Sequence, residues 1–140
     1  SFATADTCAV PVGVNSAKRP FLSVEDRMEG LRRCTRHLDN LAIDAFDGLL
    51  VEYARQKGAC AVVRVLRATS DFDFEFQIAM ANRRLEPTIE TVFLMTKWEN
   101  SYLTSSVVRE VAILGGDFRQ FVPEPVVEIV ENRLKSGPPN

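Results

Sequence analysis

The sequence predicts an α/β fold in which helices flank an open, parallel β-sheet. Short apolar runs alternate with longer segments of helical periodicity along the chain, as in successive βαβ units. Glycine, proline and capping residues fall between these segments, where strands and helices should end. The 140 residues suit one domain. We therefore assign residues 1–135 to a single domain and residues 136–140 to a flexible C-terminal tail.

Apolar runs with strand-like composition occur at four places. They are Thr7–Val14, Leu41–Ala45, Ala59–Val63 and Glu90–Met95. Pro11 interrupts the first run. Because proline has no N–H for the hydrogen-bond ladder, we expect this strand to lie at an edge of the sheet or to be distorted.

Helices are predicted between these strands. The first begins at Ser23, with Asp26 as its capping-box partner. Asp47 is predicted to cap the second helix, which Gly58 ends. The first helix should bury a stripe formed by Val24, Met28, Leu31, Thr35 and Leu38. The later helices are predicted over Leu49–Lys57, Asp71–Leu85, Thr104 or Ser105 to Leu114, and Pro125–Lys135.

Composition and motifs exclude several classes of function. A net charge of −2 argues against general binding to nucleic acid or to a membrane surface. No apolar run reaches the length of a membrane span. The three cysteines show no paired spacing, so we expect them to be buried and reduced in a cytoplasmic protein. The single histidine, His37, has no partners for a catalytic triad, and no metal-ligand, P-loop or dinucleotide motif is present.

The residues that follow the strands are the candidates for function, because open parallel sheets bind ligands beyond the carboxyl ends of their strands. Cations and hydroxyls predominate there. The set comprises Lys18, Arg19, Arg64, Arg67, Asn100, Ser101, Tyr102, Thr104, Ser105 and Ser106. Arginine, lysine and the N-termini of helices bind phosphate groups. The pattern predicts a phosphate site, although ion pairs of the arginines with Asp71, Asp73 or Glu75, and simple helix capping, are the structural alternatives.

Three segments also resemble the motifs of one enzyme family. Lys18–Arg27 (KRPFLSVEDR) resembles a Lys, Phe and Glu-Arg segment that opens a helix. Arg64–Ala68 followed by Ser70–Glu75 resembles RGLRA…DFxxE, and Tyr102–Glu110 resembles F-[IVL]-S-S-[ST]-x-[VA]-[KR]-E. In order and spacing, from about Asp6 to about Leu134, the chain is similar to the phosphopantetheine adenylyltransferases, bacterial enzymes of coenzyme A synthesis.

The resemblance implies a Rossmann-like nucleotidyltransferase fold and a reaction. The phosphate of 4′-phosphopantetheine attacks the α-phosphorus of ATP, which yields dephospho-coenzyme A and pyrophosphate. The resemblance also implies Mg²⁺ accompanying ATP, coenzyme A as a candidate feedback ligand, and a homohexamer. The enzyme is expected to be cytoplasmic, without nucleic-acid or membrane partners.

The same resemblance assigns roles to residues of this sequence. Lys18 and Arg64 would hold the phosphate of 4′-phosphopantetheine, and Leu50 and Asn82 would line its pantetheine arm. Glu75 would lie at the ribose of ATP or nearby. Other contacts to ATP would come from Val65, Leu66, Arg67, Asn100, Ser101, Tyr102, Leu103, Thr104, Ser105 and Ser106. Lys18 and Arg67 are the catalytic candidates, and no residue is assigned to a metal.

The sequence departs from the family pattern at its beginning and at Val65. The family opens with a strand and a [TS]-F-D-P-x-T-x-G-H turn whose histidine stabilises the transition state, and this turn is absent here. Either Ser1–Asp6 follows that motif, or Ser1 and Phe2 begin it and a stretch after Phe2 is missing. We expect the missing strand to be central and the sequence to be incomplete. Val65 stands where the family usually has glycine, which predicts weaker nucleotide binding.

Two other functions remain open at this point. One is a non-catalytic module that binds coenzyme A or phosphopantetheine, which the absent histidine turn and Val65 favour. The other is a related nucleotidyltransferase that uses a different phosphorylated acceptor. The apolar residues Leu49, Leu50 and Ile78 suit a thin pantetheine arm better than a sugar, although they are equally suited to a core.

Overall fold

The computed structural model describes residues 2–3, 7–14, 20–67 and 69–137. They form two compact units. The sheet unit consists of the described residues of Ser1–Gly13 and Asn40–Tyr102, and the helical unit consists of those of Val14–Asp39 and Leu103–Asn140. The assignment of residues 1–135 to one domain stays a prediction. Residues 138–140 of the predicted tail lie outside the described residues.

The sheet unit contains a five-stranded sheet. Its strands are β1 (Phe2–Ala3), β2 (Cys8–Gly13), β3 (Leu41–Phe46), β4 (Ala61–Leu66) and β5 (Glu90–Met95). The order across the sheet is β3-β2-β1-β4-β5. β2 pairs with β3, and β4 with β5, in parallel. The predicted parallel sheet is therefore confirmed for these four strands, whereas the short central strand β1 was not predicted and is antiparallel to both neighbours.

The placement of Pro11 differs from the prediction. β2 lies between β3 and β1, so the expectation of an edge strand is wrong. β1 pairs only with Cys8 and Ala9 of β2. Pro11 lies beyond these two residues, so its missing N–H removes no hydrogen bond to β1. In β3 its register partner is Asp44.

The strand β4 is longer than predicted and positions two candidate site residues. It ends at Leu66 rather than Val63, because the side chain of Leu66 is buried at 2% exposure and continues the ladder with β5. Arg64 therefore lies inside the strand, opposite Phe93, and not in the predicted loop. The helix α3 (Thr69–Leu85) begins soon after the strand ends.

The helix α2 (Leu50–Gln56) covers the core of the sheet unit. Val51 and Ala54 from α2 pack with Val62 of β4 and with Ile89. Burying such apolar side chains is the main favourable contribution to folding. This arrangement fixes α2 against the sheet.

The start of α2 differs from the prediction, whereas its end does not. Asp47 is not its cap, since Leu49 occupies that position and the Asp47 carboxylate accepts from the Gly48 N–H at 2.9 Å. Gly58 follows the helix with φ +66°, as predicted, because glycine enters this region without steric penalty.

The helical unit contains the remaining helices. They are α1 (Val24–Thr35), α4 (Ser105–Ile113) and α5 (Glu124–Lys135). The predicted capping box is confirmed, since the Asp26 N–H donates to Ser23 Oγ at 3.0 Å and the Ser23 N–H donates to the Asp26 carboxylate at 3.2 Å. Leu38 does not join the buried stripe, because α1 ends at Thr35 and Leu38 is 42% exposed.

Close packing of α1 and α5 organises the helical unit. Gly30 is buried against Val126 and Ile129 of α5. Arg33 of α1 donates to its own-helix neighbour Glu29 at 2.7 Å and to Glu128 of α5 at 2.8 Å. A small residue at the contact lets two helices approach closely, and the ion pairs at its rim fix their register.

Two further predictions concern membrane-spanning segments and the cysteines. No helix in the described part of the chain is long and apolar enough to cross a membrane. Cys8, Cys34 and Cys60 form no disulfide within the described residues. Cys60 is exposed, so the expectation that all three cysteines are buried is wrong for this residue.

Candidate functional site

Arg64 and Glu75 form the strongest polar contact among the predicted site residues. Nε and Nη2 of Arg64 donate to the two carboxylate oxygens of Glu75 at 2.8 and 2.7 Å. The Glu75 side chain is 16% exposed and that of Arg64 is 38% exposed. This hydrogen-bonded pairing raises the pKa of the Arg64 guanidinium, against the opposing effect of burial. Residues that the resemblance assigns to two different substrates are therefore joined to each other.

Arg67 follows β4 and is also tethered by an acidic residue. Its Nε lies 3.4 Å from Asp71 Oδ2, one helical turn further along, and both side chains are partly exposed. Both ion pairs are among the structural alternatives considered for these arginines. Neither pair removes the positive groups from solvent, since each arginine retains exposed surface and further N–H donors.

Val65 and Leu66 lie between these arginines on β4, with different exposures. Leu66 is buried at 2% exposure, and its carbonyl accepts from the Thr96 N–H at 3.0 Å. Val65 is 56% exposed and extended within the strand. None of the described non-glycine residues has a positive φ, so β4 accommodates valine here without backbone strain.

The residues predicted for the pantetheine arm occupy different helices of the sheet unit. Leu50 is the first residue of α2 and packs, partly buried, against the core. Asn82 lies near the end of α3 and is partly exposed. Leu50 thus contributes to the core, and the assignment of Leu50 and Asn82 to the pantetheine arm stays a prediction.

The segment after β5 carries one residue that the sequence analysis did not select. Thr96 directly follows the strand, and its hydroxyl oxygen is buried without a hydrogen-bond partner within the described residues. Such a group is destabilising until a partner satisfies it. Its position at the carboxyl end of a strand could have identified it. Asn100 ends the short 3₁₀ turn that follows, and Tyr102 is 60% exposed.

The start of α4 in the helical unit presents the predicted hydroxyls. Thr104 is its N-cap and accepts from the Val107 N–H at 3.2 Å, as the sequence predicted for Thr104 or Ser105. Ser105 and Ser106 are exposed, and Leu103 is partly buried. Thr104 thus has a capping role, while the two serines remain available at the positive end of the helix.

Ser105 and Ser106 line a cavity of about 450 Å³ within the helical unit. Its other walls are largely apolar and include Phe21, Leu22 and Val126. Arg27 and Arg109 also line it. The sequence analysis quoted these arginines within motifs without giving them a site role. Apolar walls with a few polar groups are typical of small-molecule pockets.

The predicted site also includes Lys18, and no residue in it is assigned to a metal. Lys18, the candidate for substrate binding and catalysis, falls in residues 15–19, outside the described residues. The searched part of the chain holds no cluster of three histidine, cysteine or carboxylate ligands suited to a metal ion. The metal-free assignment of side chains stays a prediction for the chain as a whole.

Comparison with known proteins agrees with this fold and these motifs. Residues 3–111 match the cytidylyltransferase-like family. The chain is also 45% identical over 132 residues to a phosphopantetheine adenylyltransferase of Caldanaerobacter subterraneus subsp. tengcongensis, which covers 94% of this chain and 82% of that protein. The chain belongs to the phosphopantetheine adenylyltransferases.

Membership of the phosphopantetheine adenylyltransferases agrees with the family proposed from three motifs and confirms the nucleotidyltransferase fold. It also makes the chain a nucleotidyltransferase by descent. The roles of individual residues are a separate matter, since identity over a chain does not show which side chain meets which substrate.

Proposed function

We propose that this phosphopantetheine adenylyltransferase transfers the adenylyl group of ATP to 4′-phosphopantetheine. The products are dephospho-coenzyme A and pyrophosphate. The observation that carries the proposal is the 45% identity to a protein of that name along 94% of the chain. Exposed arginines at the end of β4 and serines at the start of α4 provide the phosphate-binding chemistry that this reaction needs.

The reaction needs no covalent intermediate on the protein. An oxygen of the acceptor phosphate forms a bond to the α-phosphorus of ATP as the bond to the pyrophosphate oxygen breaks. Positioning two polyanions and neutralising the charge on the transferred group then provide the catalysis. We assign Arg64, with Lys18, to the acceptor phosphate, and Arg67, as the second catalytic candidate, to the phosphates of ATP.

The nucleotide would be held mainly through backbone groups and short side chains. Val65 and Leu66 would offer their backbone, since Leu66 has no accessible side chain. Ser105 and Ser106 would donate near the phosphates from the start of α4. Leu103 and the residues Asn100, Ser101, Tyr102 and Thr104 complete the set assigned to ATP.

Magnesium fits this chain as a companion of ATP rather than as a resident metal. The described residues provide no ligand cluster for a metal, and Mg²⁺ commonly binds through substrate phosphates and water. When bound, it would neutralise phosphate charge. Coenzyme A is the proposed feedback ligand, because it shares the pantetheine arm of the acceptor.

Self-association is proposed from exposed apolar side chains of α3 and β5. They are Phe74, Ile78, Met80, Val92, Leu94 and Met95. Each of these side chains is between 40 and 67% exposed. Exposed apolar surface of this kind is typical of protein interfaces. We propose that copies of this chain cover it in the homohexamer that the resemblance implies, in the reducing environment of the cytoplasm.

The test of the function is pyrophosphate release from ATP and 4′-phosphopantetheine by the purified protein. Omission of either substrate is the control. Lys18→Ala and Arg67→Ala should each lower the rate sharply, on the order of 10²-fold, as removal of a group that stabilises transition-state charge does. Binding of both substrates without pyrophosphate release would contradict the proposal.

The same assay separates the remaining alternatives. Binding of coenzyme A or 4′-phosphopantetheine without turnover would identify a binding module. Turnover only with another phosphorylated acceptor, or with CTP in place of ATP, would identify a related nucleotidyltransferase. Val65 is the residue that favours impaired nucleotide binding, although its extended conformation in β4 shows no strain.

A further inference from the structure

We infer that Glu75 is a positioning residue for the acceptor phosphate, which acts by orienting Arg64. This inference rests on the proposed function and adds an orienting role to the ribose contact that the family resemblance implies for Glu75. Glu75 lies on α3 and Arg64 on β4, so the pair connects the helix to the strand within the sheet unit.

The geometry of the contact decides which edge of Arg64 meets a ligand. A guanidinium carries five N–H groups. Glu75 accepts from one on Nε and one on Nη2. The two hydrogens of Nη1 and the second hydrogen of Nη2 have no partner among the described residues. One N–H of Nη1 and the second N–H of Nη2 point in parallel from the end of the guanidinium and form its outer edge, which is suited to a phosphate in a bidentate arrangement.

The two side chains of the Arg64–Glu75 pair differ in exposure. Glu75 is 16% exposed, whereas Arg64 is 38% exposed. The carboxylate is therefore the buried anchor and the guanidinium is the group that solvent and ligands reach. Both carboxylate oxygens are engaged by Arg64. An anchor engaged at both oxygens holds the plane of the guanidinium in one orientation.

Orientation and charge act in opposite directions at this site. Glu75 holds the fork in place, but its negative charge also repels a phosphate bound beyond Arg64. A variant that removes the charge would change both effects together. Glu75→Asp keeps the charge and withdraws the carboxylate by one methylene, so it tests orientation alone. Glu90→Asp is the matched control, since Glu90 is an exposed carboxylate of β5 with a long, 3.5 Å contact to Arg83.

The experiment measures calorimetric affinities of the full-length protein for 4′-phosphopantetheine and for pantetheine, which lacks the phosphate. Glu75→Asp should weaken 4′-phosphopantetheine binding about tenfold, as expected when a bidentate charged hydrogen bond is misaligned. Its affinity for pantetheine should stay within about twofold of wild type, because this ligand has no phosphate to contact Arg64.

A double variant shows whether the effect passes through Arg64. In an Arg64→Ala background, Glu75→Asp should have no further effect on 4′-phosphopantetheine affinity. If Glu75→Asp folds poorly, Glu75→Gln is the second test, because it preserves side-chain size but replaces one acceptor oxygen with an amide nitrogen that cannot accept from Arg64. It should weaken 4′-phosphopantetheine binding relative to wild type.

The outcomes separate this inference from the proposed function. A wild-type protein that binds 4′-phosphopantetheine no better than pantetheine contradicts both. If wild type discriminates and Glu75→Asp discriminates equally well, the inference alone is overturned. A Glu75→Asp variant that keeps its full effect on 4′-phosphopantetheine binding without Arg64 also overturns it.

Discussion

The carboxylate of Glu75 accepts two hydrogen bonds from Arg64, at 2.8 and 2.7 Å, across the contact between α3 and β4. In the proposed site, this pairing would orient the planar fork of Arg64 towards the acceptor phosphate. Arginine and lysine are not equivalent at such a site, because lysine presents a point charge without a second parallel hydrogen bond.

Replacing Arg64 by lysine should therefore weaken binding of 4′-phosphopantetheine by about tenfold or more, although the charge is kept. Calorimetric titration measures this effect. Arg84→Lys is the control, since Arg84 is an exposed arginine of α3. Equal affinities for the Arg64→Lys variant and wild type would exclude a bidentate role for this residue.

Ser106 provides a test of the nucleotide assignment in the helical unit. Ser106→Ala should raise the KM for ATP by about tenfold or more, because a neutral hydrogen bond to a charged phosphate contributes about 1.5–3 kcal/mol. The KM for 4′-phosphopantetheine should not change. Thr88→Ala removes an exposed hydroxyl that donates to Glu86 in a turn of the sheet unit, and it is the control. An unchanged KM for ATP in Ser106→Ala would remove Ser106 from the site.

Asp44 is expected to stabilise the protein in a pH-dependent manner. Hydrogen bonds from Lys57, at 2.8 Å, and from the Tyr53 hydroxyl, at 2.5 Å, lower the pKa of the Asp44 carboxyl to about 2. Burial and the adjacent carboxylate raise the pKa of the Tyr53 hydroxyl, so it remains the donor. Because the folded pKa lies below the ordinary value of 3.8, the contribution is present above that value and is lost as pH falls towards 2.

Asp44→Asn should flatten the fall in stability between pH 5 and about 2, relative to wild type. The side chain is 41% exposed, so solvent screening keeps the contribution near or below about 1 kcal/mol. Urea denaturation at a series of pH values measures it. Asp39→Asn, at an exposed residue after α1, is the control and should retain the wild-type pH profile. A wild-type pH profile in Asp44→Asn as well would contradict this assignment.

Gly30 offers a stabilising substitution. A Cβ at this position would meet Val126 Cγ2 at 3.5 Å and Ile129 Cδ1 at 3.6 Å, which are ordinary van der Waals distances. Gly30→Ala should therefore raise the free energy of unfolding by roughly 0.5–1 kcal/mol, because alanine favours the helix and restricts the unfolded chain. Gly58→Ala should do the opposite, since Gly58 has φ +66°. A lower denaturant midpoint for Gly30→Ala than for wild type would show that α1 and α5 cannot accommodate the methyl group.

The exposed apolar side chains of α3 and β5 can be tested for a role in self-association. Phe74 is 64% exposed, and Phe74→Glu should reduce the assembly mass measured by sedimentation velocity, because a buried, unpaired charge is strongly destabilising at an interface. Leu114→Glu is the matched control, since Leu114 is 77% exposed in the helical unit. A variant that keeps the wild-type mass, or a wild-type protein that is monomeric, would contradict the proposed interface.

Local features of the fold were largely predictable from the sequence. The capping box of Ser23 and Asp26, the cap at Thr104 and the stop at Gly58 involve residues within four positions of each other. The predicted ends of elements were wrong where packing against distant residues sets the boundary. β4 continues to Leu66 because that side chain is buried, and Leu49 rather than Asp47 precedes α2.

The sequence by itself determined the alternation of strands and helices, the order of three motifs and the family. These depend on residue types and spacing, which are properties of the chain. Only the tertiary structure decided that a two-residue antiparallel strand occupies the centre of the sheet, and that Arg64 is paired with Glu75. Both depend on the register of segments that are distant along the chain, and several acidic residues near Arg64 were equally plausible partners until α3 packed against β4.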